Sequence, residues 1–245
     1  YFLQSKYLYS GTLLNSVMKT IQLLKRVERL PLFSVNDMAK IVNKSPKYIR
    51  TLLYRLHKNG LIRRVENGKY TLYEDPMVFS SHIVLPSYLS LWTALRYYNM
   101  TEQQPYSVFV MVSSPKKSLA FAKTRIRFFS TKYMFGYKKE RYNDVDIFMA
   151  EREKAIIDSL LFRIPIADIK TALESEEVDL KKLSEYAKRT ASISLMKRLG
   201  YLLETLKGSP YGLKALDRNY VRLDHLGQNK GKKDKKWKLI INVEL

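Results

Sequence analysis

Cysteine is absent from all 245 residues, which excludes disulfides and thiolate metal sites. Glycine is scarce, nine in all and scattered, so there is no Gly-rich phosphate loop and no nucleophile elbow. The three histidines, His57, His82 and His225, are far apart, and none stands at a metal-ligand spacing from a carboxylate. Each reads as a surface or hydrogen-bonded imidazole. Long apolar runs are also missing: Ser, Lys or Arg interrupts each one well short of the ~18 residues a spanning helix needs. Nothing resembles a signal peptide, so a soluble, cytoplasmic protein without a membrane partner is expected. The chain does not open on Met, and its first residue is expected to differ from the native start.

Negative charge is in short supply. Lys and Arg number 44 against 23 Asp and Glu, a formal charge of +21. A surplus of that size attracts polyanions: nucleic acid first, with an anionic membrane surface or an acidic protein as the other classes. The apolar fraction of 46% allows a proper core and argues against disorder.

The N-terminal pattern is specific. From Leu13 to Leu30 apolar residues recur at helical spacing (Leu13, Leu14, Val17, Met18, Ile21, Leu24, Val27) until Pro31 stops the helix. Ser34 and Asp37 make a variant capping box opening a short helix. After the Asn43-Lys44-Ser45 turn, Ser45-Pro46 reads as an N-cap followed by Pro at the first helical position. In the helix that follows, Ile49, Leu52, Leu53 and Leu56 fall within one apolar arc. Lys47, Thr51, Tyr54 and Lys58 form the opposite stripe, with Arg50 and Arg55 at its edges. Asn59-Gly60 suits a left-handed helix end. Leu61–Val65 and Lys69–Tyr73 then read as strands around Asn67-Gly68, a strong hairpin signal. Helix, short helix, turn, basic-faced helix and basic hairpin together predict a winged helix-turn-helix over residues 1–76, its second helix seated in the major groove. The DNA-binding residues expected are Lys44, Ser45, Lys47, Tyr48, Arg50, Thr51, Tyr54, Arg55, Lys58, Arg63, Arg64, Asn67 and Lys69. Lys and Arg mostly neutralise phosphates, while Arg50, Thr51 and Tyr54 are better placed for base edges.

Residues 1–75 carry 14 Lys or Arg against 5 Asp or Glu, and the remainder 30 against 18, so the surplus is not confined to the head. Asp75-Pro76 reads as the boundary to a second domain over 77–245. That domain is expected to be strand-rich over 77–150, mainly helical over 151–217, and closed by a strand over 236–243, giving an α+β chain overall. Within it, Ser87–Tyr98 has a helical pattern, Tyr106–Val112, Ile126–Ser130, Lys132–Phe135 and Asp144–Met149 read as strands, and helices are expected over Glu151–Phe162, Ala167–Leu173, Leu180–Arg189 and Ile193–Leu206. Glu151, Glu153 and Asp158 could bind Mg²⁺ at a strand-to-helix junction, but carboxylates in a first helical turn are explained more simply by the helix dipole. The Lys230–Lys238 run reads as a solvated loop, with Lys230, Lys232, Lys233, Lys235 and Lys236 as additional phosphate contacts. No catalytic residue, metal or cofactor is expected.

The segment LPSYLSLWTALRYYNMTEQQPYSVFV, Leu85 to Val110, resembles the signature of the AbiEi abortive-infection antitoxin family, a Tyr-x-Ser helix with Ala-Leu and paired aromatics leading to a Pro and a strand. FGY at Phe135–Tyr137, AEREKAIIDSLL at Ala150–Leu161 and the terminal WKLIINVEL are similar to its later landmarks. Asn99 stands where the family usually has Gly. The resemblance implies a type IV antitoxin that represses its own operon through the winged helix. It further implies a second domain that counters a nucleotidyltransferase-like toxin without a stable complex. Two other functions stay open: a ligand- or partner-responsive regulator without a toxin, and a nuclease targeted by the winged helix.

Overall fold

The computed structural model describes residues 18–245, a mixed α+β chain of 38% helix and 21% strand. It divides into two compact units. The first runs to Ile83 and takes in Arg141–Ile147; the second comprises Val84–Glu140 and Phe148–Leu245.

In the first unit, α1 is helical over 18–27; the earlier part of the expected helix, from Leu13, lies outside the described residues. A two-residue strand, β1 (Phe33–Ser34), leads into α2 (Val35–Val42) and α3 (Pro46–Lys58). The local chemistry fixes these starts and stops. The Ser34 hydroxyl accepts from the Asp37 amide at 3.2 Å while the Asp37 carboxylate accepts from the Ser34 amide at 2.8 Å, a reciprocal capping box. Asn43 ends α2 in the left-handed region, and Ser45 caps α3 through its hydroxyl with Pro46 behind it. The turn past Asn59 is completed by Gly60 at φ 71°. β2 (Arg63–Glu66) and β3 (Lys69–Thr71) form an antiparallel hairpin that turns through Gly68, and β1 joins it in the order β1-β3-β2. Val27, Phe33, Met38, Ile49, Leu53, Leu56 and Ile62 form the core beneath.

The first unit continues beyond Asp75-Pro76. Asp75 caps a short helix, α4 (Pro76–Ser80), by accepting from the Met77 amide at 2.9 Å, and its other oxygen accepts from the Tyr142 hydroxyl at 2.6 Å. Pro76 thus serves as a first-turn residue instead of a break.

The second unit is built on a mixed six-stranded sheet, ordered β6-β7-β5-β4-β9-β8. Its strands are β4 (Ser87–Leu89), β5 (Ser107–Val112), β6 (Leu119–Phe121), β7 (Thr124–Ser130), β8 (Tyr137–Tyr142) and β9 (Val145–Ala150), with the β8–β9 tip belonging to the first unit. Val108–Val112 of β5 are all buried, as expected of a strand covered on both faces. A short helix, α5 (Trp92–Tyr97), follows β4. Then come α6 (Arg152–Leu161), α7 (Ile166–Glu174), α8 (Leu180–Arg189) and α9 (Ile193–Lys207). Residues Glu153 to Leu160 of α6 are buried without a break, so α6 is an interior helix packed by α5, α7, α8 and α9. A small sheet of β10 (Val221–Arg222), β12 (Leu239–Ile241) and β11 (Lys232–Asp234) closes the chain. Trp237 anchors it: a Cβ at Gly200 of α9 would meet the Trp237 ring at 2.2 Å, so only glycine admits this approach.

Three expectations are corrected. Ser87–Leu89 is a strand, not the start of a helix. Its residues are buried and paired with β5 and β9, and such a strand lacks the alternation that would mark it. The helical spacing holds only for the later part, over Trp92–Tyr97. Lys132–Phe135 is not a strand, because the Thr131 hydroxyl accepts from the Tyr133 amide at 3.1 Å and turns the chain locally. The Lys230–Lys238 run is not a plain loop. Lys232–Asp234 pairs with β12, and lysines on such an edge strand discourage further pairing.

Candidate nucleic-acid interface

The face of α3 turned away from the core carries Lys47, Tyr48, Arg50, Thr51, Tyr54, Arg55 and Lys58, all exposed. The helical period makes this face: Ile49, Leu53 and Leu56 are buried, and the polar residues fall between them. Tyr48 is 53% exposed and Tyr54 62%, so neither ring is core material. None of Lys44, Lys47, Arg50, Arg55 and Lys58 forms an ion pair among the described residues. Ser45, Lys47, Tyr48, Thr51, Leu52 and Arg55 line a shallow hollow at the start of the helix. The Thr51 hydroxyl donates back to the Lys47 carbonyl at 3.4 Å, and Ser45 is engaged as the cap.

Beside it runs a groove between α1 and α3 whose walls include Lys19, Gln22, Arg26, Tyr48, Arg55 and Asn59. Lys19 and Arg26 were not among the expected site residues. Their seven-residue separation, two helical turns on one face, is the signal that would have found them.

The hairpin offers less than its composition suggests. Arg63 is paired with Glu74. Arg64 donates to the Asn67 side chain at 3.1 Å, and both remain exposed. Lys69 is committed inside the unit, to Glu66 at 2.9 Å and to the Ile83 carbonyl.

Of the C-terminal lysines, Lys230, Lys232, Lys233, Lys235 and Lys236 are all exposed. Lys233 lies 5.3 Å from the centre of the Tyr220 ring, and Lys236 pairs with Glu204.

The carboxylates considered for Mg²⁺ are otherwise occupied. Glu151 accepts from the Tyr186 hydroxyl at 2.5 Å and pairs with Lys182 at 3.2 Å. Glu153 accepts from the Asp179 amide at 3.0 Å and pairs with Lys182 at 3.3 Å. Asp158 is wholly buried against Lys154, accepting from the Tyr88 hydroxyl at 3.1 Å and the Ser90 hydroxyl at 2.8 Å. Burial pushes the Asp158 carboxyl up and the Lys154 ammonium down, each opposed by the other's charge. Among the described residues no three His, Asp or Glu are placed to hold a metal ion. No helix among them is long and apolar enough to cross a membrane.

Compared with known proteins, the chain matches no family model and no curated sequence.

Proposed function

We propose that the chain is a cytoplasmic double-stranded-DNA-binding repressor whose first unit is a winged helix-turn-helix, with α3 as recognition helix and the β2–β3 hairpin as wing. The observation that carries this reading is the α3 face, where four exposed, unpaired cations alternate with two exposed tyrosines on a capped and well-anchored helix. A long basic helix face is often merely solvated. Large exposed aromatics within it are not accounted for in that way, and they suit contact with bases and sugars. The β1-α2-α3-β2-β3 order also supports it.

The target would be the chain's own operator. The antitoxin role rests on the resemblance of Leu85–Val110, Phe135–Tyr137 and Ala150–Leu161 to the AbiEi family. In this reading the second unit counters a nucleotidyltransferase-like toxin without forming a stable complex with it. Neither role calls for a catalytic residue or cofactor.

The test is a footprint on the promoter of the chain's own gene. Arg50→Ala and Tyr54→Ala are each expected to weaken specific binding by about 1–3 kcal/mol, at unchanged thermal stability. Operator affinity unchanged in both variants would sink the assignment of α3. Co-expression with the neighbouring gene's product tests the antitoxin role separately: relief of growth arrest is expected, and persistent arrest by a nucleotidyltransferase-like product would overturn it.

A further inference from the structure

We propose that Arg163, Arg198 and Arg222 of the second unit, with His225 beside them, form a binding site for a phosphoryl group. The three arginines come from separate elements brought together by backbone contacts. Arg198, on α9, is only 5% exposed, and its Nε donates to the Arg222 carbonyl at 2.8 Å. Its Nη1 faces the Ser194 carbonyl at 3.4 Å. Arg222, on β10, sends Nη1 to the Gly227 carbonyl at 3.1 Å. Arg163 follows α6 with φ at 63°, and the chain just beyond it is tied down where the Ile166 amide donates to Asp224 Oδ2 at 3.3 Å.

Every acceptor the Arg198 and Arg222 side chains use is a neutral carbonyl. Asp224, the carboxylate in this field, gives one oxygen to the Ile166 amide and the other to the Leu226 amide at 2.8 Å. It makes no ion pair with any of the three guanidinium groups, and none of them has another ion pair among the described residues. The buried lysines of the same unit are treated differently: Lys154 has Asp158 and Lys197 has Asp217. Arg198, nearly buried, is offset only by the field of Asp224 and has no ion pair of its own, which is costly. The planar forks of guanidinium groups suit phosphoryl oxygens. Arg163 is exposed and Arg222 and His225 are half-buried, which leaves an approach from solvent. The electrostatics agree. Burial and then the three arginines push His225 down to about 4, and burial with Arg163 and Arg222 pushes Arg198 down to about 10. A bound phosphoryl anion would oppose the arginines' effect on both.

The site is independent of α3. His225 is one of only three histidines, so imidazole NMR on the full chain reads it directly. Titration with inorganic phosphate, ATP and a duplex oligonucleotide is expected to move the His225 signals saturably and raise its pKa by about one unit or more. His57 and His82 should stay unmoved by phosphate and ATP. Response to phosphate or ATP identifies a free phosphate or nucleotide as the source; response to the duplex alone identifies a phosphodiester, and both support the site. Arg163→Gln, at an exposed position, should weaken the response at least about fivefold, and Arg163→Gln with Arg222→Gln should abolish it. Arg50→Ala should leave the phosphate response intact even if operator binding is lost. The site is overturned if no probe moves His225, if chloride at equal ionic strength moves it as far, or if Arg163→Gln responds like the parent.

Discussion

The exposed face of α3 and the interior of α6 both combine lysine with tyrosine, in opposite circumstances. On α3, Lys47 and Lys58 stand in solvent beside Tyr48 and Tyr54 with no carboxylate partner among the described residues. On α6, Lys154 is fully buried, paired with Asp158, and lies 5.3 Å from the centre of the Tyr88 ring and 5.1 Å from that of Phe135. Other cations of the second unit are committed in the same way: Lys182 to Glu151 and Glu153, Lys197 to Asp217, Lys236 to Glu204, and Arg152 to Glu177. The residues after position 75 carry the larger share of the positive excess, but they spread it over more than twice the length. The shorter head therefore carries the denser excess, and on α3 its cations stand without ion-pair partners among the described residues.

The largest effect that would break this comparison lies in the buried pair. Asp158→Ala is expected to destabilise the protein by about 3–5 kcal/mol in urea unfolding, because it leaves Lys154 buried without a counter-charge. It also removes the carboxylate that accepts from the Tyr88 and Ser90 hydroxyls. Lys154→Met with Asp158→Leu should recover a substantial part of that loss. If Asp158→Ala changed stability by less than about 0.5 kcal/mol, the interior pair would be no different from a surface one.

The contrast was only half legible in the sequence. The phase of α3 was readable because Ser45-Pro46 fixes its start and the apolar residues recur at helical spacing, all local information. The interior cluster was not, since Asp158 meets Tyr88 and Ser90 from nearly the other side of the sheet's sequence, and no local period encodes such a pairing. In AEREKAIIDSLL the i, i+4 relation of Lys154 and Asp158 was visible, but it looks the same on a solvated helix. The helix pattern over Ser87–Tyr98 ran together a buried strand and a short helix for the same reason: apolar residues on both faces of a strand leave no alternation to count. Lys69 was expected at the interface because composition shows charge without showing Glu66 and the Ile83 carbonyl that engage it.

Next in size is the salt dependence of the proposed DNA binding. Each phosphate contact removed lowers the slope of log K against log salt by about 1. Lys47→Ala and Lys58→Ala are expected to do so, whereas Lys182→Ala should leave the slope unchanged. Equal flattening by all three would erase the distinction between free and committed lysines. Helix caps sharpen it further. Ser45→Ala at α3 and Ser192→Ala at α9 remove equivalent caps, each at a cost of about 1 kcal/mol. Only Ser45→Ala should weaken operator binding at a temperature where both variants are folded.

The smallest effect concerns pH. Burial works to raise the Glu151 carboxyl, but hydrogen bonds from Tyr186 and Lys182 outweigh it and hold the group below its ordinary value. Lys182 is held above its ordinary value despite burial, and burial together with the Glu151 hydrogen bond pushes Tyr186 up to about 12. A carboxyl whose folded value is depressed stabilises the fold fully above its unfolded pKa, and that contribution fades as pH falls through the folded one. The first turn of α3 contains no acidic residue, so no such loss originates there. Comparing urea midpoints of the parent and Glu151→Gln from about pH 7 down to about pH 3 isolates this group from the other carboxylates. The parent should be the more stable at neutral pH, with the gap closing as acid protonates Glu151. A gap that stayed constant across the range would mean that Glu151 contributes through packing and neutral hydrogen bonds, and that its lysine is as free as those on α3.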